Sequence, residues 1–318
     1  MTSARLVDLK DLNDVARMCG VERDFIEEYV HADCQRNFYT ALKLPKRGRH
    51  RTNQFRVVFA AKQARLSAFH RSVSMIVTNS ATFGDHVQGF LKKRSTRTNA
   101  KQHLGARVLL HADITGFFDA ITTNQVKAAL IAAGASVALA TTLAQGCTID
   151  GLLRQGTRCS PTLANLVCRK MDATMVDLAT AHECVYTRYA DDMTFSGSQV
   201  PEDDAIIQIL ESNGFELRDG RCYRQYKGRS QYVTGLTVSD SSRPRLPRRL
   251  KHRLRLIFHY IGKYGLDEHW NRLGVEDSIR EEWWLCGMLK FARSIEPELV
   301  EQWQQVYDKA LAERSLYS

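Results

Sequence analysis

Eight cysteines are scattered through the 318 residues, yet the chain has no CxxC pair and no Cys/His cluster at zinc-ligand spacing. This argues against a zinc-stapled or dithiol redox protein, and buried free thiols in a reducing cytosol are expected. A signal-peptide core is missing as well: MTSARLVDLKDL scatters its charges and holds no apolar run. The longest uncharged stretch that looks membrane-like, Ala128 to Ala144, is slightly short for a membrane span and is broken at Gly134. It reads as two core-facing helical segments. No internal repeat or low-complexity segment is visible. A cytoplasmic protein with no membrane partner is expected.

The most informative scarcity is local. Lys and Arg number 45 against 35 Asp and Glu, a net charge of +10. Between Cys34 and Gly84 there is no acid at all, while Arg36, Lys43, Lys46, Arg47, Arg49, Arg51, Arg56, Lys62, Arg65 and Arg71 fall there. A second acid-free stretch, Ser241 to Tyr264, carries Arg243, Arg245, Arg248, Arg249, Lys251, Arg253, Arg255 and Lys263. One such run is as readily a solvated face. Two runs flanking a less basic middle point to two walls of a phosphate-binding channel, with nucleic acid or an anionic surface as the partner classes. A composition of 44% hydrophobic and 25% charged residues is ordinary for a globular chain. At about 150 residues per domain the length allows roughly two.

Local patterns divide the chain into alternating elements. Asp8, Asp11 and Asn13 can cap short helices within residues 1–30. LPKRGRHR at 44–51 reads as a turn, followed by a strand from Phe55 to Ala60 and a helix over 62–78. RVLLHAD at 107–113 is β-rich and ends at a turn, Thr115-Gly116. Thr122 or Thr123 caps a helix through Ala133. Ser160-Pro161 opens a helix to about Ala181, with proline in the first turn where its missing N–H costs nothing. Val185 to Ser196 has a hairpin pattern with its turn at Asp191-Asp192. Ala205 to Asn213 is a helix ended by Gly214, residues 215–238 are strand-like, and from Leu246 on the pattern is helical. The middle is therefore an α+β, palm-like layer.

Two of its turns expose carboxylates: Asp113 ends one strand, and Asp191-Asp192 tip the hairpin. Turn propensity alone can place Asp in such turns. The sharper reading is a two-metal site, since Mg²⁺ takes hard oxygen ligands and leaves positions open for substrate phosphates.

These residues resemble the motifs of reverse transcriptases. Asp113-Ile114-Thr115-Gly116-Phe117-Phe118 looks like motif A. Gln155-Gly156-Thr157-Arg158-Cys159-Ser160-Pro161, followed by Leu163-Ala164-Asn165, looks like motif B. Tyr189-Ala190-Asp191-Asp192 looks like motif C. Each string alone is weak; all three in order, on the expected elements, are specific. Asn99-Ala100-Lys101-Gln102-His103 matches the NAxxH signature of bacterial retron reverse transcriptases, and Val233-Thr234-Gly235 matches their VTG signature. The resemblance covers about residues 50–265.

It implies a right-hand polymerase: fingers with N-terminal helices over 1–106, a palm with an RRM-like antiparallel sheet over 107–240, and a basic helical thumb over 241–318. Asp113, Asp191 and Asp192, with Ile114, would hold two Mg²⁺ ions (Mn²⁺ as a substitute). These ions would activate a primer hydroxyl for attack on a dNTP. Phe118 would reject the ribose 2′-OH. Arg56 would hold triphosphate, and Gln155 and Gly156 would contact nucleotide and template. Asn99, His103, Thr234, Gly235, Arg248, Arg249 and Arg253 would face primer or RNA. The implied partners are a cognate noncoding RNA, the branched msDNA copied from it, and a separate effector protein in antiphage defence.

Some positions depart from the family pattern. Arg154 stands where a proline usually precedes the motif B glutamine, and Thr-Arg-Cys replaces the common Ala-Pro-Thr after Gly156. Arg221 replaces the motif D lysine, and arginine is a far weaker acid. The fingers strand Arg56-Val57-Val58-Phe59 lacks the proline usually found soon after it. None of these removes a carboxylate. The competing readings are a group II intron-like or phage-exclusion reverse transcriptase, an RNA-dependent RNA polymerase, and a non-catalytic RNA-binding scaffold on a decayed palm.

Overall fold

The computed structural model describes residues 4–45 and 55–317. The expected turn over 44–51 lies, beyond Pro45, outside the described residues, as do Lys46, Arg47, Arg49 and Arg51. In chain order the elements are α1 (Leu12–Cys19), α2 (Arg23–Val30), β1 (Tyr39–Pro45), β2 (Phe55–Ala61), α3 (Ala64–Ser80), α4 (Thr96–Lys101), β3 (Val108–Asp113), α5 (Thr123–Ala132), α6 (Val137–Cys147) and α7 (Ser160–Ala181). They continue with β4 (Val185–Tyr189), β5 (Asp192–Gly197), α8 (Asp203–Ser212), β6 (Tyr223–Tyr226), β7 (Tyr232–Val233), β8 (Leu236–Thr237), α9 (Arg248–Tyr264), α10 (Leu266–Arg272), α11 (Ser278–Ile295) and α12 (Pro297–Tyr317).

The chain divides into two compact units. The first comprises Met1–Ser95 and Val108–Arg224, the second Thr96–Arg107 and Gln225–Ser318. In the first, a four-stranded sheet has the order β4-β5-β3-β6, and β5 runs antiparallel to both β3 and β4. β3 is buried along its length until Asp113, which explains its continuous apolar run rather than alternation. Asp11 caps α1 by accepting from the amides of Asn13 and Asp14, and Thr122 forms a reciprocal capping box with Gln125. The break expected at Gly134 separates α5 from α6. α7 begins at Ser160 with Pro161 in its first turn. The core joins these helices to the sheet through Phe69, Leu110, Leu143, Leu163, Met175 and Phe195.

One local expectation shifts by a residue. The hairpin turns at Ala190-Asp191, and Asp192 is already the first residue of β5. Ala190 takes the left-handed conformation the two-residue turn requires (φ 60°).

In the second unit, α4 packs on β7 and β8, and α9 packs against α10 and α12. Phe258 stacks on Trp303 with ring centroids 5.7 Å apart. The buried Glu296 carboxylate accepts from the Leu246 amide at 2.8 Å and bonds Lys251 at 3.3 Å. Several cations of the second basic run therefore serve the fold, since Arg243 and Arg245 also pair with Glu298 and Asp240.

Candidate active site

The ladder between β3 and β5 makes Asp113 and Asp192 direct cross-strand partners. Paired residues on adjacent antiparallel strands have Cα atoms only about 4.5–5.5 Å apart. Asp191 occupies the turn, and its carbonyl accepts from the Ile114 amide at 3.0 Å, tying the hairpin tip to the end of β3. The sequence thus brings its three carboxylates to one end of the sheet.

Their electrostatics follow from that crowding. Burial raises the Asp192 carboxyl to about 7, with the charges of Asp113 and Asp191 adding to it. Asp191 is raised too, first by burial and then by Asp113. Desolvated like charges disfavour ionisation, so this corner is short of positive charge. Part of it comes from Arg218, whose amide donates to the Asp113 carbonyl at 2.8 Å and whose Nη1 lies 3.3 Å from Asp113 Oδ1. Arg221, at the motif D position, also favours the ionised forms of Asp191 and Asp192. Among the described residues no three His, Cys, Asp or Glu side chains are already closed around a metal position. The donor set of carboxylate oxygens is nonetheless the hard, anionic kind that suits Mg²⁺ or Mn²⁺ rather than a thiophilic ion.

Beside the carboxylates is a cleft of about 760 Å³ lined by Arg56, Phe118, Arg154, Gln155, Asp191 and Arg218, among others. Arg56 is on the exposed part of β2. Phe118 is half-buried, edge-on to Phe117 at 5.2 Å and tilted on Phe90 at 6.0 Å. The Gln155 carbonyl accepts from the Phe59 amide at 2.8 Å, which fastens the loop before α7 to β2. Gly156 makes that approach possible: its φ is 115°, and a Cβ there would lie 2.6 Å from the Phe59 carbonyl oxygen. Arg154 donates to Asp119 at 3.0 Å, next to Phe118.

The remaining predicted residues belong to the second unit. Asn99 and His103 are both 1% exposed. Asn99 Nδ2 reaches Thr234 Oγ1 at 3.5 Å, and Thr234 Oγ1 donates to the Thr96 carbonyl at 3.1 Å. The NAxxH and VTG segments therefore brace one another, and burial keeps Asn99 and His103 from meeting a ligand at the surface. Thr234 has φ 44° and Gly235 φ 81°, a turn that leaves Gly235 exposed. Arg248, Arg249 and Arg253 are exposed on α9, with the Arg253 guanidinium 4.4 Å over the Trp284 ring.

Sequence reasoning passed over Arg188 and Asp172, both fully buried and paired at 2.7 Å. The available signal was an arginine in the inward register of β4, two residues after Tyr186. It also missed Arg218, which nothing but its place beside β3 marks out.

A family model described as reverse transcriptase (RNA-dependent DNA polymerase) matches residues 44–218. The chain is 30% identical over 313 residues to the retron Mx65 reverse transcriptase of Myxococcus xanthus, covering 91% of this chain and 69% of that protein. It is 27% identical to the retron Ec86 reverse transcriptase of Escherichia coli, covering 82% of each. The chain belongs to the retron reverse transcriptases. The enzyme is an RNA-directed DNA polymerase of α+β class with antiparallel sheets, and its family works with divalent metals. No helix among its described residues is long and apolar enough to cross a membrane.

Proposed function

We propose that this enzyme copies part of a cognate structured noncoding RNA into branched single-stranded DNA, with Asp113, Asp191 and Asp192 as its catalytic carboxylates. The observation that carries the catalytic reading is the meeting of these three residues at one end of the sheet, beside an arginine-lined cleft. Asp113, Asp191 and Asp192, with the Ile114 backbone beside them, would hold two Mg²⁺ ions, with Mn²⁺ as a substitute. When bound, such ions supply the charge that activates a primer hydroxyl and stabilises the departing pyrophosphate. The chain's own contribution is position and charge, as in other phosphoryl transfers. Arg56 binds the triphosphate, Gln155 and the Gly156 backbone hold the base pair, and Phe118 lies beneath the sugar. Arg221 stabilises charge without donating a proton.

The four-stranded sheet supports the reading of a palm over 107–240, with fingers over 1–106 and a helical thumb over 241–318. The exposed arginines of α9 and the turn at Thr234-Gly235 would meet the RNA, while Asn99 and His103 act behind them by fixing that turn. The names of the relatives support a retron setting, in which the RNA is primed from the 2′-OH of an internal guanosine. A separate effector and a cytoplasmic antiphage role belong to this reading.

The test is to express the enzyme with its native flanking DNA and extract the bound nucleic acid. A short DNA joined to RNA, whose migration changes after treatment with a 2′–5′ debranching enzyme, is expected. Linear cDNA, or a product that migrates identically before and after debranching, would overturn the branched-product reading and leave the polymerase standing.

A further inference from the structure

Arg188 is buried completely although it lies only three residues before the first carboxylate of the hairpin turn. Its Nε and Nη2 donate to the two oxygens of Asp172 on α7 at 2.8 and 2.7 Å. Its Nη1 donates to the Ala190 carbonyl at 3.1 Å and to Asn165 Oδ1 at 3.2 Å. The guanidinium therefore grips the helix with one edge and the turn with the other.

The turn is also supported from a second direction. The Arg188 amide donates to the His86 carbonyl at 2.7 Å, and the Gln88 amide donates to the Arg188 carbonyl at 2.8 Å. Asn165 Nδ2 donates to the Gly89 carbonyl at 2.9 Å. Gly89 lies so close to the turn that a Cβ on it would be 2.6 Å from the Ala190 nitrogen. Ala190 itself is held at φ 60°, a conformation that L-residues other than Gly, Asn and Asp rarely adopt without outside constraint.

A buried ion pair is weak evidence of a need for stability, because well-packed apolar residues of similar volume usually serve as well. What apolar residues cannot supply is a donor aimed at the Ala190 carbonyl. We propose that Arg188, locked by Asp172 and Asn165, is a positioning residue that fixes the Ala190-Asp191 turn and so aims Asp191 and Asp192 at the reacting centre. This rests on the reading of those two carboxylates as catalytic. The bidentate grip on Asp172 removes the freedom of the arginine side chain, and that rigidity passes to the turn through one hydrogen bond.

The experiment replaces the buried polar set with apolar residues of similar size: Arg188→Met, Asp172→Leu and Tyr186→Phe together. Tyr186 is included because its hydroxyl donates to Asp172 at 2.9 Å. The triple variant is expected to fold and to bind primer–template and dNTP as the native enzyme does. Its kcat should fall by about 10²-fold, the scale of a small misplacement of catalytic groups. Amide hydrogen exchange at residues 190–193 should speed up while α7 keeps its protection. Native kcat together with native exchange at the turn would overturn the proposal.

Arg188→Lys is the second arm, needed should the triple variant not fold. Lysine keeps the charge beside Asp172 but has no second edge for Ala190. Its kcat should stay low, and full recovery of kcat would mean that a simple charge pair suffices, contradicting the proposal. Asp191→Asn is run in parallel. If it retains full activity the catalytic reading fails, whereas hydrogen exchange at 190–193 still reads the Arg188 tether by itself.

Discussion

Asp113 and Asp192 face each other across β3 and β5 as the last rung of their antiparallel ladder. Like charges directly opposite one another on a sheet destabilise it, and here both residues are partly withdrawn from water. On the metal-site reading proposed above, bound cations would offset the repulsion that this pairing builds in. The relationship also depends on register, since a slip of one residue would send Asp192 to the other face of the sheet.

The sugar gate is testable by size. Phe118→Ala should raise the ratio of rNTP to dNTP kcat/KM by roughly 10²-fold, because the steric rejection of a 2′-OH disappears with the ring. The measurement is single-nucleotide incorporation on an RNA template. An unmoved ratio would make Phe118 a packing residue for Phe117 and Phe90.

Arg56 is expected to act on nucleotide binding. A hydrogen bond to a charged group contributes about 1.5–3 kcal/mol. Arg56→Gln should therefore raise the KM for dNTP by about 10-fold or more and leave primer–template affinity unchanged. Equal losses for nucleotide and template would remove this assignment.

Gly156→Ala should damage both fold and site. The added methyl meets the Phe59 backbone, and alanine is strained at φ 115°. Strain of this kind costs about 1–3 kcal/mol. The melting temperature should fall by several degrees, at about 2–4 °C per kcal/mol for a body of this size. The same shift of the Gln155 segment should raise the dNTP KM. An unaltered melting curve would show that the loop can move away from β2 at no cost.

Much of this was legible from residue order. The Thr122 cap, Pro161 at the start of α7 and the break at Gly134 are local effects, set by hydrogen bonds and dihedral limits within a few residues. The three carboxylates were legible because their motifs occur in order on recognisable strands. The cross-strand pairing of Asp113 with Asp192 was not, because register between strands far apart in sequence depends on the packed core. The same holds for Asn99. As a sequence it suggests an RNA contact, and only tertiary packing reveals that it is buried against Thr234. Arg188 escaped likewise: an arginine beside these motifs invites a ligand reading or none, and its partner Asp172 lies on another element.

The basic face of α9 can be dissected by salt dependence. Replacing Arg248, Arg249 and Arg253 with Gln should weaken RNA binding and flatten its salt dependence. The slope of log K against log salt should fall by about 0.7–0.9 for each phosphate that is no longer neutralised. Lys251 is the internal control, since it is bonded to Glu296. Lys251→Gln should leave the slope unchanged and lower the melting temperature instead. The reverse pattern would move the RNA to another surface.

The catalytic assignment has Asp113, Asp191 and Asp192 serving metal ions and chemistry rather than the fold. It is tested most directly by the Asp191→Asn, Asp192→Asn double variant in primer extension on an RNA template with dNTPs and Mg²⁺. DNA synthesis should fall to background while RNA affinity is retained. The metal-free melting temperature should be no lower than that of the native enzyme, because two crowded, desolvated charges have been removed. A purified, folded double variant that still extends the primer would contradict the assignment.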